Sequence, residues 1–94
     1  MNRPLDRSET ELVTLQRAAD AGQGKAAYAL CQYYGFVRFD EEKERYWLER
    51  AARLNYTPAV ISLGNILIES SSANDRRRGR LMLQKAGVSD RGES

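Results

Sequence analysis

The chain has no histidine and a single cysteine among its 94 residues. Without histidine there is no Ser–His or Cys–His nucleophile pair, no imidazole general base and no imidazole metal ligand. One cysteine supports neither an internal disulfide nor a four-thiolate zinc or iron–sulfur site. Most familiar enzyme chemistry falls away on these two counts, and the chain reads as non-catalytic, with no cofactor. Two prolines and seven glycines are too few for a linker or a collagen-like chain. No stretch approaches the roughly 18 consecutive apolar residues of a membrane span. The run Met1 to Arg7 mixes acids and bases with no apolar stretch behind it, unlike a secretory signal. With the lone cysteine, this points to a reducing cytoplasm.

What is present is a soluble globular composition, 41% hydrophobic and 30% charged, with a mean hydropathy of −0.64. The length fits one domain. The net charge of +2 is uneven: residues 1–47 sum to −1 and residues 48–94 to +3, largely through Arg76, Arg77, Arg78 and Arg80. An excess of this size does not by itself call for a polyanionic partner.

Strand signals are weak and helix signals come with punctuation. Ser8 and Glu11 form a capping box ahead of Leu12, Val13 and Leu15, and Gly22 ends that helix. A second helix is expected over about Gln23 to Tyr34, with Ala26, Ala27, Leu30, Cys31 and Tyr34 on one face and Gly35 as its breaker. Asp40 caps a third, whose apolar stripe reads Tyr46, Trp47, Ala51 and Leu54, and Asn55 suits its left-handed end. Thr57 and Pro58 read as N-cap and first helical residue of a fourth. It runs through Ala59, Leu63, Leu67 and Ile68 to the polar stretch Ser70 to Asn74. Asp75 then caps a fifth, which ends at Ala86 and Gly87. One all-α domain over 8–87, between tails 1–7 and 88–94, is the expectation.

The helices repeat. Leu15-Gln16-Arg17-Ala18-Ala19 recurs as Leu48-Glu49-Arg50-Ala51-Ala52 and as Leu83-Gln84-Lys85-Ala86-Gly87, at offsets of 33 and 35 residues. Ala19, Gly22, Ala26, Leu30, Cys31 and Tyr34 match Ala52, Asn55, Ala59, Leu63, Gly64 and Leu67 at identical spacing. Asp40, Lys43 and Trp47 match Asp75, Arg78 and Met82. Periods in this range mark arrays of helical hairpins, each hiding its apolar face by stacking on the next.

On these residues the chain resembles the Sel-one-like repeat family, α-solenoid relatives of the tetratricopeptide repeat. Ala18, Ala19, Gly22, Ala26, Leu30, Tyr34, Val37, Asp40, Lys43, Trp47, Arg50, Ala51 and Ala52 meet the family pattern. A second copy keeps Ala59, Leu63, Gly64, Asp75, Arg78, Gly79 and Ala86. The likeness spans residues 12–87. It departs in a shortened Gly35-Phe36-Val37 loop, in Cys31 for a glycine, and in Leu67 and Met82 for aromatics. It implies a short right-handed α-solenoid of two hairpins plus an N-terminal helix, acting as an adaptor or scaffold that binds another protein. For so small a chain it admits a special case, a bacterial immunity or antitoxin-type protein that blocks a toxin. Family forms linked to β-lactam hydrolysis resemble disulfide-stapled secreted proteins, and this chain lacks their cysteines.

Each candidate site has a plain structural reading beside it. Cys31 replaces a packing glycine and reads as a buried small hydrophobe rather than a reactive thiol. Asp40, Glu41, Glu42 and Glu44 suit a first helical turn, where negative charge complements the dipole. Arg76, Arg77, Arg78 and Arg80 oppose that dipole. They read first as a solvated face, fanning around the helix with no aromatic interleaved, and alternatively as a patch for an acidic partner or nucleic acid. Tyr34 and Trp47 occupy packing positions. Tyr33, Phe36 and Phe39 have none assigned and are candidate interface anchors. On the first helix of each hairpin, Lys25, Tyr28, Ala29, Gln32 and Tyr33, then Val60, Ile61, Ser62, Asn65 and Ile66, are the expected contact surface. The trailing helix, with Leu81, Met82 and Leu83, is expected to leave an apolar outer side that docks a partner or forms a two-fold dimer.

Overall fold

A computed structural model of the chain describes residues 8–87; the expected tails lie outside the described residues. Five α-helices follow one another, with no strand among the described residues: α1 (Glu9–Asp20), α2 (Gly24–Gln32), α3 (Glu41–Arg53), α4 (Thr57–Ile68) and α5 (Ala73–Lys85). A π-helical turn, Tyr33–Val37, extends α2. The fold is all-α, as the helix punctuation predicts.

Several boundaries form as the residues dictate. Ser8 and Glu11 make the reciprocal capping box, and Lys43 N–H donates to Asp40 Oδ1 at the head of α3. Gly22, Asn55 and Gly87 take the left-handed conformation, with φ of 101°, 64° and 84°. After α1, Gln23 N–H donates to Ala18 O and Gly22 N–H to Ala19 O. After α3 the same pair of bonds joins Tyr56 to Ala51 and Asn55 to Ala52. This is one Schellman turn made twice, 33 residues apart.

Three boundaries differ from expectation. Gly35 does not break the second helix. The chain widens into the π-turn, closed by Arg38 N–H to Tyr33 O, because Gly35 is where Glu44 of α3 packs against the backbone: a Cβ there would lie 2.6 Å from Glu44 Cδ. The helical course ends instead at Val37, with Arg38 as its C-cap and Phe39 turning left-handed just beyond. Thr57 and Pro58 both lie inside α4, and the N-cap is Tyr56, pinned between Gly24 and the Tyr28 ring 5.4 Å away. Asp75 is the third residue of α5. Ser72 is its N-cap, accepting from Asp75 N–H.

Each helix packs on the next in sequence, and small residues set the separations. Leu30, Leu63 and Leu67 are fully buried among Ala19, Ala26, Ala27, Ala51 and Ala59, with Trp47 and Leu48 beside them. Complete burial of each leucine contributes about 1.5–3 kcal/mol. The stripe of α3 is corrected: Leu48 is in the core, while Tyr46 and Leu54 are exposed. At the α4–α5 crossing Gly64 meets Gly79, where a Cβ on Gly79 would stand 2.7 Å from Gly64 O. Contacts between alternate helices define two layers. Asp20–Arg50 and Glu49–Arg78 link α1, α3 and α5 on one side, and Tyr28–Ser62 links α2 to α4 on the other.

Candidate protein-binding site

The α2/α4 layer carries most of the expected contact residues. Tyr28 Oη and Ser62 Oγ share a hydrogen bond of 3.2 Å across the two helices, so Tyr28 is half-buried and fixed. Lys25, Gln32 and Asn65 are exposed, Ile66 is 46% exposed, and Ala29, Ile61 and Ser62 are half-buried. Two expected contact residues are turned inward. Tyr33 is buried edge-on to Tyr34, with ring centroids 5.1 Å apart, because the π-turn rotates it toward the body of the protein. Val60 joins the core beside Ala59 and Leu63, while Thr57 and Pro58 of the same turn stay exposed. Both are largely closed to a partner, although Tyr33 helps line a cleft with Tyr34 and Arg38.

Phe36 and Phe39 are open. Phe36 stands 60% exposed on the π-turn and Phe39 80% exposed just beyond it. Phe39 also holds φ at 53°, a conformation costly for a bulky L-residue. Its neighbours pin it there: Asp40 N–H donates to Tyr34 O at 2.8 Å, and Asp40 caps α3. The chain therefore holds an aromatic in a strained conformation and aims it at solvent. Beside it, Glu9, Leu12, Tyr34, Arg38, Asp40 and Lys43 line a polar cleft of about 330 Å³ between α1 and the π-turn. The Lys43 ammonium lies 5.3 Å from the Tyr34 ring centre. Sequence reading passes over this cleft because only the π-turn brings Arg38 and Tyr34 to α1.

Among the remaining candidates, Cys31, the acidic cluster and two of the arginines have local structural partners or positions. Cys31 is a free, buried thiol, raised to about 11 by burial, with the nearby Glu44 carboxylate adding to the shift; a thiol so held is a poor nucleophile. Asp40 caps α3, and Glu41, Glu42 and Glu44 occupy its first turn. Within the basic run, Arg76 Nη1 donates to Ser70 O and Arg78 Nη2 donates to Glu49 Oε1 at 2.9 Å. Two of its four guanidinium groups are thus occupied. Burial would raise the Glu49 carboxyl, but the hydrogen bond and charge of Arg78, reinforced by Arg45, outweigh it and hold the group below the usual carboxylate range.

On the trailing helix Leu83 is buried against Gly64, so the outer apolar surface comes from Leu81, 58% exposed, and the half-buried Met82. No helix among the described residues is long and apolar enough to cross a membrane. Comparison with protein families, with curated proteins and with solved structures finds no match to this chain.

Proposed function

We propose that the chain is a non-catalytic protein-binding module of the Sel-one-like-repeat type, a short right-handed α-solenoid that receives another protein along α2 and α4 and at the π-turn. Supporting the solenoid reading are the 33- and 35-residue offsets, packing of each helix on the next, and the repeated Schellman turn. Such arrays present extended surfaces for other proteins. The observation that carries the binding reading is Phe39, strained at φ 53° yet 80% exposed. Strain without packing in return is characteristic of a contact residue, and exposed aromatics are frequent interface anchors. An adaptor in the cytoplasm is the general form of this reading. An immunity or antitoxin-type protein is its special form, which a toxin gene adjacent to this one would single out.

The test compares the wild-type chain with a Phe36→Ser, Phe39→Asn double variant, each immobilised in host extract, with bound proteins quantified. The expected result is a partner recovered by the wild type and depleted by about tenfold or more with the variant, as for loss of interface anchors, while circular dichroism stays alike and the variant melts no lower than the wild type. Equal recovery by both would overturn the reading.

A further inference from the structure

We propose that the outer face of α5 docks an acidic amphipathic helix of another protein. Asn74, Arg77, Arg78, Leu81, Met82 and Lys85 line a shallow groove of about 290 Å³ along this helix. Their spacing of three and four residues keeps them on one side for three turns. The floor is apolar, with Leu81 58% exposed, and the flanks carry Arg77 and Lys85 beside Arg78, which is paired with Glu49. No carboxylate lines it.

The repeat shows what this face lacks. In α3 the residues 35 positions earlier, Tyr46 and Trp47, sit beside Arg50, whose guanidinium lies 5.8 and 5.4 Å from the two ring centres, with Tyr46 still 51% exposed. Arg50 also donates to Tyr46 Oη and pairs with Asp20 of α1 at 3.4 Å. The corresponding residues on α5 are Leu81, Met82 and Lys85, and the residue 33 positions after Asp20 is Arg53. The internal acid is replaced by a base, so the apolar pair is framed by cations, and among the described residues neither Arg77 nor Lys85 has an ion-pair partner. A groove with an apolar floor and one sign of charge at its rim is complementary to a helix with the opposite pattern, leucines along one stripe and carboxylates beside them.

Other occupants fit less well. A two-fold pairing of α5 with its own copy would set Arg77 and Lys85 against each other's cations, which is repulsive. The acidic outer side of α1 offers only Val13 as an exposed large apolar residue. Single-stranded nucleic acid prefers aromatic stacking platforms, and this groove has none.

The probe is a side-chain-stapled helical peptide of about four turns, with leucines along one stripe and glutamates flanking them; its control carries lysine in place of every glutamate. Binding is read by fluorescence anisotropy, and folding of each variant by circular dichroism. The glutamate peptide is expected to bind one-to-one and the lysine peptide not to bind. Leu81→Ser, and separately Arg77→Glu with Lys85→Glu, are each expected to weaken binding by about tenfold or more. The Phe36→Ser, Phe39→Asn variant is expected to bind the peptide normally, so this inference and the proposed function fail separately. Absent binding, equal binding of both peptides, or binding unchanged by the α5 substitutions would overturn it. So would sedimentation showing a dimer that Leu81→Ser disperses, or an oligonucleotide held more tightly than the peptide.

Discussion

Phe39 has a backbone and a side chain at odds: the backbone occupies a left-handed conformation and the ring makes little contact to offset it. The conformational penalty for an L-residue is roughly 1–2 kcal/mol, and asparagine tolerates it better. Phe39→Asn is therefore expected to leave the unfolding free energy unchanged or raise it by up to about 1 kcal/mol. A loss near 3 kcal/mol, the figure for emptying a packed aromatic site, would show that the ring is part of the core. Cys31 makes the opposite case. Its thiol is raised from 9.0 to about 11 in the folded protein, chiefly by burial, so folding favours the protonated form. That contribution is complete below the unfolded value of 9.0 and is lost as pH rises toward about 11. Between these limits the urea midpoint of the wild type should fall more steeply than that of Cys31→Ala, and parallel curves would contradict the burial assignment.

At the scale of elements, caps and crossings separate what local sequence controls from what packing controls. Ser72 accepts from Asp75 N–H while Ser70 Oγ bonds the Asp75 carboxylate. Ser72→Ala is expected to cost about 1 kcal/mol. Thr57, a first-turn residue with no capping bond, should change stability by less than about 0.5 kcal/mol on substitution by alanine. Denaturant titrations of the two variants check the pair, and a larger loss at Thr57 would reverse the boundary. Gly79 lies mid-helix in α5, where alanine ordinarily gains about 1 kcal/mol. Here its Cβ would meet Gly64 O at 2.7 Å and Ile68 N at 2.9 Å. Backbone atoms cannot rotate aside, and overpacking costs about 1–3 kcal/mol. Gly79→Ala should therefore lower the melting temperature, and a rise would mean that the two helices do not meet at their glycines. The first hairpin solves the same crossing differently: Cys31 and Glu44 stand at the positions of Gly64 and Gly79, and Gly35 receives Glu44 instead.

Across the whole molecule, the layer of α1, α3 and α5 is stitched by Asp20–Arg50 and Glu49–Arg78. These pairs are partly solvated, so each contributes at most about 1 kcal/mol. Glu49 nevertheless gives the line a pH signature. Its carboxyl is held below its ordinary value of 4.5, with Arg78 and Arg45 outweighing the opposing effect of burial. A depressed folded value means the contribution is present above 4.5 and disappears as pH falls through the folded value. The melting difference between wild type and Glu49→Gln should therefore be largest near neutrality and shrink as pH falls below 4.5. A difference that persists in acid would point to packing rather than charge.

The sequence by itself determined the helix count, the capping box at Ser8, the left-handed ends at Gly22, Asn55 and Gly87, and most of the core. Each of these depends on contacts within a few residues or on a repeated apolar spacing, both visible along the chain. Tertiary structure alone decided what Gly35, Tyr33, Val60 and the arginine run do. Gly35 reads locally as a breaker, but Glu44 packing on its backbone turns it into a place of close approach, and the π-turn that follows carries Tyr33 inward and leaves Phe36 and Phe39 outside. Val60 depends on which side of α4 meets α3. Arg76 and Arg78 depend on where Ser70 and Glu49 arrive. Local rules say which conformations a residue accepts, whereas the accessible surface depends on which distant side chain arrives to cover it.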